Sequence, residues 1–278
     1  MAGGPPPMTR ILMTLPIILG ATTLLWLVSL WRRDASIVDI FWGAGFAGVA
    51  GLQLWWTPFN SAGPSQEMPL RPIVCATMTI IWGLRLATYL GWRNLGRGED
   101  PRYAAMRRRH GRSFPLLSLP LVFLLQGGLI WIISLPIQLA ADASAPWGAG
   151  DWLGLGLWSI GFAFEAVGDW QLARFKADPA NQGQVLDRGL WGWTRHPNYF
   201  GDALVWWGLS LPVILSDPGR FSWLLVCPLL MNWLLRRFSG VPLLEKGLHV
   251  TRPGYADYVA RTSPFLPWPP RRNQGGDQ

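Results

Sequence analysis

Charged residues are scarce in this sequence: Asp, Glu, Lys and Arg together make up 14% of its 278 residues. A soluble globular domain usually carries about 25%. Apolar residues account for half of the chain and recur in long runs. The shortage of charge therefore argues against a soluble protein and indicates one that resides in a membrane.

Cysteine and histidine are equally sparse, with two cysteines and three histidines. Cys75 and Cys227 both lie in apolar runs and do not have the spacing of metal ligands, so we expect them to be free thiols in the core. The three histidines, His110, His196 and His249, do not have the spacing of a metal site. We predict that the protein holds no metal ion.

Seven apolar runs are long enough, or nearly so, to cross a bilayer, which takes roughly 20 residues as a helix. These runs are 11–31, 37–56, 72–92, 116–140, 152–173, 199–216 and 221–235. The last two are short, so between six and eight spans fit the pattern. The sequence predicts an all-α integral membrane protein with about seven transmembrane helices. A single multispanning domain would cover residues 11–267, between disordered termini at 1–10 and 268–278.

The positive charges are distributed unevenly between the two sets of loops. The loops after the first, third and fifth spans and the tail after residue 235 hold 20 of the 24 Lys and Arg residues. Lys and Arg accumulate on the cytoplasmic side of membrane proteins. We therefore expect the N-terminus outside and the C-terminus in the cytoplasm. The high pI follows from this topology, and we expect no nucleic-acid partner.

One stretch resembles a dinucleotide-binding fingerprint but has the wrong surroundings. The glycine motif GAGFAG at 43–48 lies inside the second apolar run, without the strand, the soluble helix and the downstream acid that a Rossmann site requires. Gly45, Gly48 and Gly51 recur every three residues, and this spacing suits close packing between helices in lipid. A Rossmann site is therefore excluded.

Ionisable residues inside apolar runs mark places where charge must be paired or functional. Asp39 begins the second span and Arg85 lies in the third, so the two either pair with each other or line a polar cavity. Glu165 and Asp169 are four residues apart near the end of the fifth span and share one helix face. Lys176 follows on the same face, and we favour a ligand-binding surface there over a salt bridge at the helix end.

The polar stretch WGWTRHPNYFGD at 191–202 follows directly after this face. Arg195 has the geometry to bind phosphate or carboxylate bidentately. Pro197 predicts a helix start near Asn198, and a helix N-terminus favours anions. Asp202 then lies one turn into the next span, where its carboxylate suits a sugar hydroxyl or an amide. The combination predicts a site for a nucleotide cofactor.

These residues resemble the steroid 5-alpha-reductase-like membrane superfamily, and in particular its uncharacterised bacterial branch. The resemblance rests on RGLWGWTRHPNYFGDALVWWG, FEAVGDWQLARFK and the tail SGVPLLEKGLHVTRPGYADYVARTSPFLP, and it covers nearly the whole chain. It implies a seven-helix fold that binds NADPH on the cytoplasmic side, below a cavity open to lipids, in the inner membrane of a bacterium. The reaction it implies is hydride transfer to the activated C=C bond of an enone in a steroid-like, isoprenoid or other lipid, as in 3-oxo-5-alpha-steroid 4-dehydrogenases.

The resemblance also implies roles for individual residues. Asn198 matches the asparagine beside the nicotinamide amide, Asp202 an acidic position, Asp169 an acid on the adenosine side, and Lys176 an arginine that meets phosphate. The full set of implied cofactor-binding residues is Arg85, Arg97, Glu165, Asp169, Lys176, Arg195, His196, Asn198, Tyr199, Asp202, Arg252, Tyr255 and Tyr258. The glutamate and tyrosine that polarise the substrate carbonyl in the steroid enzymes have no clear counterpart. Tyr89 and Asp39 are the available substitutes.

The RHPxY signature also resembles isoprenylcysteine carboxyl methyltransferases, which use S-adenosylmethionine. Their tail typically carries two adjacent acids, whereas here Glu245 is followed by Lys246. A membrane methyltransferase is therefore the alternative function, and a non-enzymatic lipid-binding or assembly role is a third. In each case the expected partners are membrane lipids and a lipid-soluble small molecule, and the oligomeric state stays open.

Overall fold

The computed structural model describes residues 6–57, 70–238, 245, 248 and 251–270. Over these ranges the structure is helical and contains no β-sheet, and Thr194 and Ser263 form an isolated parallel bridge. The α-helices are α1 (Pro7–Arg32), α2 (Ile37–Trp56), α3 (Leu70–Asn94), α4 (Pro101–His110), α5 (Phe114–Ser118), α6 (Leu125–Ile133), α7 (Leu135–Leu139), α8 (Ala149–Ala177), α9 (Leu190–Trp193), α10 (Pro197–Ser216), α11 (Pro218–Phe221), α12 (Val226–Trp233) and α13 (Tyr255–Arg261).

Five helical stretches of the described chain are long and apolar enough to cross a membrane: α1, α2, α3, the stretch Pro101–Ile133 and α10. The prediction of an all-helical membrane protein is thereby confirmed, while the count of seven spans stays a prediction. The fifth predicted span coincides with α8. The seventh is divided into short helices from α11 to the π-helical turn Leu234–Phe238.

The chain forms two compact units. The single multispanning domain over residues 11–267 stays a prediction. The N-terminal unit comprises residues 1–151 and 212–227, and the C-terminal unit comprises 152–211 and 228–278. The chain passes from one unit to the other within α8, α10 and α12. Because these crossings lie inside helices, no proline-rich or polar linker marks them in the sequence.

Close packing of α2 on α3 organises the N-terminal unit. A Cβ added to Gly43 would run into the backbone oxygen of Gly83, and a Cβ added to Gly83 would run into that of Gly43. Glycine at both positions lets the two backbones touch, which is a common packing mode in membranes. The contact with α3 therefore involves Gly43. Of the three glycines that the sequence suggested for close packing, Gly45 lies tightly against Ile130 of α6, whereas Gly48 and Gly51 have no atom within 4 Å of an added Cβ.

Two buried ion pairs tie the loops of the N-terminal unit. The Arg71 guanidinium donates to both oxygens of Asp151, at 2.7 and 2.9 Å, and to backbone carbonyls of the 143–146 loop. Arg10 donates to Asp142 at 2.7 Å. Two of the three arginines on the predicted outer side are therefore paired with an acid, Asp151 being buried and Asp142 partly buried.

Glycines on α8 and α10 bring these two helices together in the C-terminal unit. A Cβ on Gly201 would collide with the backbone of Gly161 and Glu165, and one on Gly208 would collide with Trp158. Gly168 lies against Pro197 and the backbone nitrogen of Asn198. The helix that carries Glu165 and Asp169 is thereby held against the helix that begins in the RHPN motif.

Candidate functional site

The motif at 191–202 changes conformation three times over its length. Gly189 has a φ of 64°, which favours glycine, and α9 follows it for one turn. Thr194 is extended, and Pro197 starts α10 as the sequence predicted. Phe200 N–H donates to the His196 carbonyl at 3.0 Å, so His196 occupies the N-cap position of α10.

The C-terminal segment 258–268 fixes the backbone of this motif. Arg195 N–H donates to the Ser263 carbonyl at 2.9 Å, and Trp268 N–H donates to the Trp193 carbonyl at 3.0 Å. The Thr194 hydroxyl donates to the Phe265 carbonyl at 2.9 Å. An open cleft of about 460 Å³ runs along this segment, lined among others by Thr262, Ser263 and Trp268.

Glu245 joins the two charged residues of the motif. Its carboxylate lies 2.9 Å from His196 Nε2 and 3.2 Å from Arg195 Nε. All three side chains are largely buried. Burial lowers the pKa of His196 below its ordinary value, against the opposing effect of the Glu245 hydrogen bond. The imidazole ring stacks on Tyr199, with ring centroids 5.5 Å apart.

Asn198 and Asp169 are in direct contact across α8 and α10. The Asn198 side-chain amide donates to Asp169 Oδ1 at 3.1 Å. Glu165 and Asp169 are both buried on one face of α8, as their spacing predicted, and Asp202 is buried one turn into α10. The structure thus brings together, within one unit, the acidic face of the fifth span and the polar motif that follows it.

The remaining residues of the C-terminal unit that the sequence predicted to bind the cofactor differ in exposure. Lys176 is exposed near the end of α8, and Arg252 is partly buried just before α13. Tyr255 and Tyr258 are buried on α13, and the Tyr258 hydroxyl donates to the Trp191 carbonyl at 2.6 Å. Burial, followed by the charge of Glu245, raises the pKa of Tyr255 to about 12. The hydrogen bond of Tyr258 to the Trp191 carbonyl connects the tail to the motif at 191–202.

Four further predicted site residues belong to the N-terminal unit: Asp39, Arg85, Tyr89 and Arg97. The Arg85 guanidinium lies over the Tyr89 ring, 5.5 Å from its centroid, and Arg93 lies at 5.7 Å from the same ring. Arg97 is exposed in the loop after α3. Arg85 and Tyr89, which are four residues apart on α3, therefore form a cation–π contact.

Asp39 pairs with residues of α4 instead of the Arg85 partner that the sequence suggested. Its Oδ1 accepts from the Tyr103 hydroxyl at 2.7 Å, and its Oδ2 accepts from Arg102 at 2.6 Å. The Gln126 amide donates to the Tyr103 hydroxyl at 3.2 Å. Tyr103 is buried and connects the carboxylate to the α6 helix.

Sequence reasoning missed Glu245 and Tyr103 as members of these polar clusters. Glu245 lies 49 residues beyond His196, so no helical periodicity relates the two. The feature that could have identified Glu245 is its position as an acidic residue in the apolar stretch VPLLEKGL. Tyr103 stands in an arginine-rich stretch of the sequence, which folds as α4, and its burial there is not apparent from composition.

Comparisons with known proteins place the chain in a family. Over 279 aligned residues it is 26% identical to Uncharacterized protein C594.04c of the fission yeast Schizosaccharomyces pombe, an alignment that covers 91% of this chain and 78% of the yeast protein. No solved structure matches the chain. Residues 25–262 match the family described as Protein of unknown function (DUF1295), which is part of the steroid 5-alpha-reductase-like superfamily. The chain belongs to this family.

Proposed function

We propose that this protein is a membrane-embedded NADPH-dependent reductase that acts on the activated C=C bond of a lipid enone. The observation that carries the proposal is the contact between Asn198 and Asp169, with Glu165 and Asp202 buried on the same two helices. Ionisable residues inside a membrane protein often mark a functional site. These carboxylates would accept hydrogen bonds from the hydroxyl and amide groups of a dinucleotide.

The donor set of this cluster fits a dinucleotide. The carboxylates of Glu165, Asp169 and Asp202 accept hydrogen bonds, as ribose hydroxyls and a carboxamide N–H require. The Asn198 amide offers both a donor and an acceptor. Glycine at 201 keeps the backbones of α8 and α10 in contact at this level, where a Cβ would collide, and Gly168 lies tightly against Pro197. The cluster is therefore held by packing and does not depend on loop conformation.

Phosphate groups need positive charge, and the proposed site supplies it from three places. Arg195 is held by Glu245 at the start of α10, Lys176 is exposed at the end of α8, and Arg252 precedes α13. Guanidinium groups bind phosphate oxygens bidentately. We assign the phosphates to these side chains, on the side that the charge distribution predicts to be cytoplasmic. Tyr255 and Tyr258 would cover them.

The residues of this chain would orient the reactants and hold the proton of the reaction. When bound, NADPH supplies a hydride to the β-carbon of the enone. A hydrogen-bond donor must then stabilise the charge that develops on the carbonyl oxygen. We propose Tyr89 or Asp39 for this role. The Tyr103 hydroxyl, which donates to Asp39 Oδ1, is a third candidate because it shares its proton with that carboxylate.

A methyltransferase that uses S-adenosylmethionine is the second candidate, favoured by the contact of Glu245 with His196 and Arg195. In the isoprenylcysteine carboxyl methyltransferases, too, acidic residues stand in the tail, so an acid that contacts the RHP motif is compatible with that family. The three buried carboxylates would also accept hydrogen bonds from the ammonium group of S-adenosylmethionine.

Label transfer distinguishes the two reactions. Purified protein in nanodiscs is incubated with a total lipid extract of bacterial membranes and either NADPH deuterated at nicotinamide C4 or S-adenosylmethionine with a deuterated methyl group. We expect deuterium to enter a lipid from NADPH only. Transfer of the labelled methyl group, without transfer from NADPH, would reverse the assignment.

A further inference from the structure

The arginines before the fourth predicted span fall into two groups, and the first is paired. Arg102 binds Asp39 and Asp100. Arg107 donates to both oxygens of Glu99, at 2.9 and 2.7 Å. These contacts keep the pKa of Glu99 below its ordinary value even though its partial burial acts in the opposite direction. The two acids of this stretch, Glu99 and Asp100, are therefore engaged by Arg102 and Arg107.

The second group, Arg108, Arg109 and Arg112, makes no hydrogen bond or ion pair with any residue that the structure describes. All three side chains are exposed. The sequence between 101 and 133 contains no acidic residue that could reach them. Three positive charges are thus concentrated within five residues without an internal counter-charge.

The helix dipole explains only part of this concentration. Arg108 and Arg109 lie in the last turn of α4, where cations stabilise the helix. This effect fades within one turn. Arg112 lies beyond Gly111, whose φ of 52° ends α4 and opens a 3-10 turn. Arg112 therefore follows the other two arginines within four residues of the chain without belonging to the helix end.

The position of the cluster along the chain places it at the level of lipid head groups. The apolar part of the helical stretch, 114–133, has 20 residues and no charge, and this is enough to cross the hydrocarbon core. Residues 101–113 must then lie outside that core. Leu116, which is 73% exposed, begins the lipid-facing surface directly after the arginines.

We propose that Arg108, Arg109 and Arg112 form a binding site for the phosphate group of anionic phospholipids. Guanidinium groups bind phosphate oxygens with parallel hydrogen bonds, and three of them favour a head group with a net negative charge over a zwitterionic one. The proposed partner is a phosphatidylglycerol-type lipid of the leaflet that the charge bias predicts to be cytoplasmic. This site is independent of the cofactor cluster and of the reaction proposed above.

The test measures lipid preference in nanodiscs made from equal parts of phosphatidylglycerol and phosphatidylcholine. Lipids that remain bound after transfer of the protein to detergent are quantified by mass spectrometry. For the wild-type protein we expect phosphatidylglycerol to be enriched about tenfold over phosphatidylcholine. The triple variant R108Q/R109Q/R112Q should lose this enrichment. The matched variant R32Q/R33Q/R188Q, which removes equal charge from exposed arginines, should keep it.

Several outcomes would overturn the proposal. Equal loss in the two triple variants would show a general charge effect, and the absence of enrichment in the wild-type protein would exclude the site. If inorganic phosphate at millimolar concentration displaced the lipid, the site would bind a soluble anion instead. Arg112 lies outside α4, so the single variant Arg112→Gln carries little risk to folding and is measured in the same way. Unchanged enrichment of phosphatidylglycerol in this variant would also count against the site.

Discussion

The Glu245 carboxylate lies 2.9 Å from His196 Nε2. This contact joins the tail of the chain to the RHPN motif and places a negative charge beside Arg195 as well. The motif is therefore held from two sides: by its backbone pairing with Ser263 and by the side chain of Glu245.

Replacing Glu245 by Gln should destabilise the protein, because the buried Arg195 would lose its counter-charge. Removing one partner of a buried ion pair costs about 3 kcal/mol. Thermal unfolding in nanodiscs measures the effect. The exposed Asp178, which caps a short turn, provides the control, since Asp178→Ala should change the melting temperature far less. Equal melting temperatures for wild-type protein and Glu245→Gln would contradict this role for Glu245.

The pH dependence of stability should carry the signature of His196. Burial lowers the pKa of this residue, so near its ordinary pKa of about 6.5 the unfolded state binds more protons than the folded state. Its contribution to stability is then present above that pH and is lost as the pH falls. We expect the melting temperature of the wild-type protein to decrease between about pH 7.5 and pH 5.5. This decrease should be smaller in His196→Gln. If the melting temperature of the variant fell with pH as steeply as that of the wild-type protein, His196 would not be the group responsible.

Asn198 and Asp202 should each contribute to NADPH affinity. A hydrogen bond to a charged group is worth about 1.5–3 kcal/mol, so Asn198→Ala or Asp202→Ala should weaken binding about tenfold to a hundredfold. Titration of the purified variants, followed by quenching of tryptophan fluorescence, measures the affinity. Asn181→Ala, which removes an amide bonded to the Phe175 carbonyl, is the matched control. Wild-type affinity in both site variants would exclude the assigned site.

Close packing of α8 on α10 should be sensitive to a single methyl group. A Cβ at Gly201 would meet the backbone of Glu165 and Gly161, so Gly201→Ala should destabilise the protein by about 1–3 kcal/mol and weaken NADPH binding. The control is Gly156→Ala on α8, where the added Cβ meets no atom within 4 Å. Alanine there should leave stability unchanged or raise it slightly. If both variants behave alike, the packing argument fails.

The sequence predicted much of this architecture because hydropathy and helical period are local properties. The second span was predicted at 37–56, and α2 runs from Ile37 to Trp56. The shared face of Glu165 and Asp169 followed from their spacing, and both are buried. Helix spacing carries no information about partners on other helices. For this reason the sequence left open whether Asp39 pairs with Arg85 or lines a polar cavity, whereas Arg102 and Tyr103 bind it. Glu245 was not identified as part of the site for the same reason.

The proton donor can be identified by comparing three conservative variants. Tyr89→Phe, Tyr103→Phe and Asp39→Asn each remove one candidate for the group that stabilises the carbonyl oxygen. General acid catalysis contributes about 10²–10⁴-fold, so the variant of the true donor should lose deuterium transfer to this extent while binding NADPH normally. Tyr103→Phe should also lower stability by about 1 kcal/mol, since it breaks the hydrogen bond to Asp39. Normal transfer in all three would exclude these donors.

The most direct test of the central claim is an equilibrium titration of the wild-type protein in nanodiscs with NADPH, and separately with S-adenosylmethionine. Binding of NADPH next to the tryptophans of the C-terminal unit should quench their fluorescence and raise the melting temperature. We predict saturable binding of NADPH, weakened in Asn198→Ala and retained in Asn181→Ala. Saturable binding of S-adenosylmethionine together with no response to NADPH would contradict the account.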